Sequence, residues 1–540
     1  MPSLLPSWLQ RQPMVETLQL ELAPPHLNDN TGDLDRLGRA LKQQGYNPLQ
    51  IHPRNMHRFV QQIRRQEFRL TAILGFASCH WELIDILPGF TQTPTLAFAV
   101  DLGTTRLAFY LIDLKTGEIL EHVSVANPQI PHGEDILTRI LFARREENLG
   151  ALQSLLIDTF NRSMQDILTA RGLTARDVYA LAVAGNTTMS HFLLGLDPCN
   201  ICKEPYIPAA NRFPLHHARD LGLDIHPDAP VYIFPNVGSY FGGDLIAGIL
   251  ASGLNRSDEM SILVDVGTNA EVVLGNRDWL IACAGAAGPA LEGGVVERGM
   301  MALPGAIDWI RIDPRTLDPA WRVIGQEKPI GICGSGLIDL MAEMFMAGIL
   351  TIQGKINTSL ESRRIVVTQD APAYIVAFGE ETPDGRDLMV SEIDIGIFLK
   401  SKAAMYTILT VITNKVGLHF KDLKHFFVAG TFGNYIDPSM AIRIGMLPDL
   451  PLETYCGLGN TAGRGSAMVL LDRSLLEDIE GICSRITYVE LNVNMELMNE
   501  FRGALFLPHT DPRLFPSVQI PEKALGKAIA YTHHSESNGT

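Results

Sequence analysis

The sequence predicts an α/β fold built on an internal duplication, and three observations carry that prediction. First, the stretch "AFAVDLGTTRLAFYLIDLKTGEIL" (97–120) sets two runs of strand-forming residues around a D-x-G-T turn. Second, the pattern returns in "LVDVGTNAEVVLGN" (263–276). There Asp265 answers Asp101, Gly267 answers Gly103 and Thr268 answers Thr104, each displaced by 265 − 101 = 164 residues. A repeat of that length indicates two homologous domains rather than a solenoid. Third, β-hairpins and βα units succeed one another along the chain, as in α/β domains. With 46% hydrophobic and 19% charged residues, the 540-residue chain can fill a large core and is not globally disordered.

Taken in order, residues 1–95 read as a small α+β unit. "VETLQLELAP" reads as a strand, Asn28-Asp29-Asn30 as a turn, "GDLDRLGRALKQQGY" as a helix stopped by Gly45, and "HWELIDILPGF" as an alternating strand. Residues 96–258 and 259–515 are the two halves of the duplication, and 516–540 a flexible tail. Within the first half, Leu152, Leu155, Leu156, Phe160, Met164, Ile167 and Leu168 share one helical face, with Gly172 as the stop. "VYALAVAGNTTMSHFLLGL" reads as a buried strand, a polar turn at Gly185-Asn186-Thr187-Thr188 and a helix.

The formal net charge of −16 argues against nucleic-acid or anionic-membrane partners. No window approaches the ~18 apolar residues of a spanning helix. The first residues carry no signal-peptide pattern, so a cytoplasmic protein is expected. Seven scattered cysteines do not describe a disulfide framework, although Cys199 and Cys202 form one C-x-x-C. His132 has no second histidine at metal-ligand spacing and reads as a loop contact, and "MAEMFMAG" reads as core packing.

The D-x-G-T turns carry the chemistry. Glycine lets the backbone approach a ligand closely, and free N–H groups beside threonine hydroxyls suit phosphate oxygens. An aspartate next to phosphate would repel it, and a magnesium ion removes that conflict. One such turn alone is an ordinary hairpin with a local cap. Two copies with matched flanking strands point to a nucleotide cleft whose phosphates are held from both sides. Two Gly-rich elements add to this: Gly430 and Gly433 after the apolar strand of "FFVAGTFGNYIDP", and Gly334 and Ser335 opening the helix of "GICGSGLIDLMAEMFMAG". Each reads equally as a tight turn. No P-loop or protein-kinase signature is present.

Two phosphate loops followed by a Gly-rich nucleoside loop resemble the superfamily of acetate and sugar kinases, heat-shock chaperones and actin. That resemblance implies a duplicated RNase H-like ATPase fold. "NPQIPHGEDILTRI", "VAGNTTMSHFLLGL", "FPNVGSYFGGDLIAGIL", "AGPALEGGVVERGMMALPGAI" and "GNTAGRGSAMVLLD" narrow it: the chain is similar to the reductive activators of corrinoid proteins. "LQLELAPPHLNDNTGDLDRL" resembles the same family's linker and middle region. The resemblance implies ATP and Mg2+ as cofactors, a corrinoid protein as partner, and reduction of Co(II) to Co(I). It makes Asp101, Gly103, Thr104 and Thr105 the first phosphate loop and Asp265, Gly267, Thr268 and Asn269 the second. Gly430, Thr431 and Gly433 would border adenosine, Gly334 and Ser335 would offer a helix start, and Asp101 and Asp265 would hold magnesium and position water. Asn186 and Asp244 are further candidates, with turn and helix capping as their other reading.

Members of that family usually carry a [2Fe–2S] domain ahead of the linker, whereas residues 1–95 hold only Cys79. A separate ferredoxin-like donor is therefore expected. A homodimer is the expected assembly, and it could pair Cys199 and Cys202 across two copies to bridge a [4Fe–4S] cluster; a chance pair of small buried residues accounts for them better. A small-molecule kinase and an ATP-gated binding protein are the competing functions.

Overall fold

The computed structural model describes residues 6, 8–77, 79–267, 270–285, 296–433, 435–489 and 495–525, without the side chains of 326, 431, 432, 495 and 496. Its contacts divide the chain into two units. One holds residues 1–253 together with Asn460–Arg485, and the other holds Leu254–Gly459 with the C-terminal segment. The halves are therefore not continuous in sequence, as the 259–515 boundary assumed. Residues 460–485 leave the second half and complete the first.

The first unit opens with a four-stranded sheet in the order Val15–Glu21, Arg69–Ala77, His80–Pro88, Leu49–Gln50. Helices Asp33–Gln43 and Pro53–Arg65 bury Leu37, Leu41, Phe59 and Ile63 in the cluster formed with this sheet. Gly45, at φ 95°, follows the first of these helices and ends it as the sequence predicts. This small sheet is tied to the rest of its unit by carboxylates. Asp228, almost fully buried, accepts from Arg54 at 2.9 Å, from Asn55 at 2.8 Å and from Arg219.

The main sheet of the first unit runs Glu118–Ala126, Arg106–Asp113, Leu96–Leu102, Val178–Gly185, Pro230–Ile233, His216–His217. Its first three strands are antiparallel, whereas Leu96–Leu102, Val178–Gly185 and Pro230–Ile233 run parallel. Val178–Gly185 is buried along its whole length, as a central parallel strand requires. The helix Glu146–Ala170 packs Leu152, Leu156, Phe160, Met164, Ile167 and Leu168 into this core; Leu155, predicted on the same face, is only half-buried.

The second unit repeats the plan. Its main sheet runs Tyr455–Gly459, His425–Ala429, Ser261–Val266, Ala270–Gly275, Leu280–Gly285, Ile486–Tyr488. In both sheets three antiparallel strands are followed, beside the first of them, by two strands parallel to it. Registers match as well: Asp101 pairs with Ala108 and Ala184, and Asp265 with Glu271 and Ala429. This is the duplicated RNase H-like fold, preceded by the small α+β unit.

Two expectations need correction. Helix Glu392–Lys415 is long and apolar enough, at mean hydropathy 1.5, to meet the length and composition of a membrane span. It is a core helix instead, since 72% of that window is buried. Ser391 and Asp394 cap its start reciprocally. Nor is 516–540 one flexible tail: Ala524 is fully buried and its carbonyl accepts from the Ile352 N–H at 3.0 Å. Residues 526–540 lie outside the described residues.

Candidate functional site

In the first unit the site forms at the C-terminal ends of the parallel strands, where α/β sheets present ligand-binding loops. Asp101 is the penultimate residue of Leu96–Leu102, and Gly103 begins the turn behind it. A Cβ on Gly103 would lie 2.5 Å from the Arg106 carbonyl, so only glycine closes this turn. Asn127, buried, holds the turn from below: its Nδ2 donates to the Gly103 carbonyl at 2.9 Å. Its backbone N–H donates to the Thr105 carbonyl, also at 2.9 Å.

Three helix starts meet this turn. Asn186 caps helix Thr187–Leu194 by accepting the Met189 N–H, and its Nδ2 donates to Thr104 Oγ1 at 2.9 Å. Asp244 lies in the first turn of helix Gly243–Ser252 and accepts the Leu245 N–H at 2.8 Å. Asn460 caps helix Thr461–Leu471, and its Nδ2 donates to Asp101 Oδ2 at 2.7 Å. Asn186 therefore caps its helix, one of the two readings weighed for it, and the same side chain reaches Thr104 in the D-x-G-T turn.

These carboxyls are placed at an energetic disadvantage. Burial pushes Asp101 up to about 7; the Asn460 hydrogen bond works the other way, and the Asp244 carboxylate adds to the rise. Burial likewise pushes Asp244 up to about 6 against the Leu245 N–H. Two acids that resist ionising beside each other, one accepting from the Asn460 amide and the other from the Leu245 N–H, form a hard-oxygen donor set. That set fits a magnesium ion, which takes carboxylate and hydroxyl oxygens and keeps several waters.

In the second unit, Asp265 occupies the matching place on Ser261–Val266. Gly430 follows the neighbouring strand at φ 84°, and a Cβ there would lie 2.9 Å from the Val266 carbonyl and 3.1 Å from Asp265 Oδ1. Only glycine both adopts this conformation and passes so close to the aspartate. The predicted nucleoside loop is a single helical turn, Gly430–Gly433, with Gly433 packed on the Val428 carbonyl. Gly267 is a bend after the strand, while Thr268, Asn269 and the Thr431 side chain lie outside the described residues.

Gly334 and Ser335 open helix Gly334–Met346 as predicted, but the Ser335 hydroxyl is engaged by the Asp308 carbonyl at 3.1 Å. Cys199 and Cys202 flank a short 3-10 turn and are half-buried against the first core. Burial first, then Asp197, pushes the Cys199 thiol up to about 11. His132 stacks on Phe142, with ring centroids 4.6 Å apart.

Sequence reasoning missed Asn127 and Asn460. Asn460 was legible only as a possible cap ahead of Thr461-Ala462-Gly463, since its partner Asp101 stands 359 residues earlier. Gly463 was a second signal: a Cβ there would lie 2.3 Å from the Tyr110 ring.

Residues 8–93 match the family described as the RACo linker region and 96–257 the RACo middle region. Residues 259–519 match the C-terminal domain of RACo, the ASKHA domain. The chain is 30% identical over 433 residues to the corrinoid activation enzyme RamQ of Eubacterium limosum, covering 78% of this chain and 72% of the relative. It is 26% identical over 433 residues to a reductase of a Co(II) methylated amine-specific corrinoid protein from Methanosarcina barkeri, covering 75% of each. The solved structure of a reductive activator for corrinoid, iron-sulfur protein is 35% identical and superposes with a TM-score of 0.87, covering 94% of this chain and 81% of that one.

Proposed function

Because the chain belongs to the RACo family of corrinoid activators, we propose that it binds and hydrolyses ATP to drive an electron onto the Co(II) of an inactivated corrinoid protein, restoring Co(I). The observation that carries this reading is the Asp101 turn with its three converging helix starts, echoed in register by Asp265 and Gly430. Phosphoryl transfer needs positioning and charge neutralisation more than covalent chemistry, and this is what these residues supply.

In this reading Asp101 and Asp244 hold magnesium, with Asn460 fixing the orientation of the Asp101 carboxylate. The magnesium ion, when bound, neutralises charge on the phosphates. Thr104, steadied by Asn186, and Thr105 offer hydroxyls to phosphate oxygens, and the Gly103 turn offers its backbone. Asp265 takes the second metal- and water-positioning role, with Gly267, Thr268 and Asn269 as its loop. Gly430, Thr431 and Gly433 border the adenosine. In this reading the electron comes from a separate ferredoxin-like protein.

Cation binding must displace protons from these two acids, which burial raises to about 7 for Asp101 and about 6 for Asp244. Magnesium affinity in the presence of ATP is therefore expected to weaken by roughly tenfold per pH unit as pH falls through that window. Calorimetric titration in buffers of differing ionisation enthalpy measures the accompanying proton release; its absence would place the metal elsewhere.

The functional test is ATP hydrolysis with and without a Co(II) corrinoid protein, with a reduced ferredoxin present. Stimulated hydrolysis together with the Co(I) absorption spectrum is the expected result. Turnover indifferent to the corrinoid protein, or phosphorylation of a metabolite instead, would overturn the proposal.

A further inference from the structure

Apart from the nucleotide site, three histidines surround one buried glutamate in the first unit. Glu82 lies on strand His80–Pro88 with its side chain 8% exposed. His217 Nε2 meets its Oε2 at 2.7 Å, His52 Nε2 approaches the same oxygen at 3.1 Å, and His80 Nε2 meets Oε1 at 3.1 Å. The rings come from separate elements. His52 precedes helix Pro53–Arg65, His80 stands two residues before Glu82 and so on the same strand face, and His217 ends the short strand His216–His217. The ligand atoms of His52, Glu82 and His217 all lie within 4.8 Å of one another.

Hydrogen bonding alone leaves this arrangement incomplete. His52 Nε2 is buried and, despite its closeness to Glu82, has no hydrogen bond of proper geometry. It points the same ring nitrogen at the same oxygen as His217, and the two rings meet edge to face with centroids 5.1 Å apart. Outer partners are present too: His217 Nδ1 lies 3.5 Å from Asp220 Oδ2, the carboxylate–imidazole pairing that orients metal ligands.

We propose that His52, Glu82 and His217, with His80 beside them, form a zinc site that pins the first 93 residues to the following region. Nitrogen ligands with one carboxylate oxygen are the donor set of zinc rather than of magnesium or calcium. A metal here would join strand His80–Pro88 and the His52 helix start to the His216–His217 edge strand. It would add to the Asp228 cluster described above and act independently of the nucleotide chemistry.

The test uses the full chain with any affinity tag removed. Zinc content and affinity are measured by elemental analysis and by competition with a chromophoric chelator, alongside a His52→Ala/His217→Ala double variant and Glu82→Gln. The expected result is one tightly held zinc per chain, an affinity at least about 100-fold weaker in the double variant, and a thermal midpoint that zinc raises by several degrees in the wild type only. Because the variants could fail to fold, cobalt(II) substitution of the wild type, without any corrinoid present, is read separately; visible ligand-field bands of a four-coordinate nitrogen–oxygen site are expected. No stoichiometric zinc in the wild type, equal binding by the double variant, or cobalt spectra of a six-coordinate aquo ion would each overturn the proposal.

Discussion

Asp101→Asn is expected to lower ATP turnover by about 10³-fold while making the protein more stable at neutral and alkaline pH. The two effects have one cause. Asparagine keeps the shape and can still accept the Asn460 hydrogen bond, but it removes the charge a cation needs. The folded carboxyl is raised from 3.8 to about 7, above its unfolded value. Its ionisation therefore costs stability that is absent below about pH 4, grows as pH rises through the window, and is constant above about 7. The variant escapes that cost, a gain on the order of 4 kcal/mol at about pH 8 that vanishes near pH 4. Phosphate release and thermal melts across pH measure the two arms. A variant equally unstable at every pH would make Asp101 a structural residue. Asp265→Ala is expected to share the loss of turnover with the fold intact.

Gly242→Ala should damage both the scaffold and the site. A Cβ on Gly242 would lie 2.3 Å from the Asn186 Cα and 2.7 Å from Asp244 Oδ1. The first of these is a backbone atom that cannot rotate away, so the starts of helices Thr187–Leu194 and Gly243–Ser252 must separate. We expect a loss of about 1–3 kcal/mol and roughly 100-fold lower turnover, because Asn186 leaves Thr104 as Asp244 leaves Asp101. Gly396→Ala is the control: it lies inside helix Glu392–Lys415 with nothing within 4 Å of a new Cβ, and should be neutral or slightly stabilising. Wild-type turnover in Gly242→Ala would remove the converging helix starts from the mechanism.

Much of this architecture was legible because its signals are local. The D-x-G-T turns are read from a few adjacent residues, and the offset of 164 residues exposes the duplication without any knowledge of packing. Gly45 and Gly172 mark helix ends through positive φ, at 95° and 65°, which depends on the glycine itself. Helix Glu392–Lys415 marks the opposite limit. Its 24 residues have the length and hydropathy of a membrane span, and only burial by its neighbours identifies it as core.

By itself, the sequence determined the α/β duplication, the two aspartate turns and the family, since each rests on contiguous residues. The tertiary structure alone decided that Asn460 crosses 359 positions to hold Asp101, and that residues 460–485 complete the first half. It also brought Asp244 beside Asp101 and gathered His52 and His217 on Glu82. The reason is physical: periodicity and turn chemistry act over a few residues, whereas these pairings are selected by the packing of whole strands and helices.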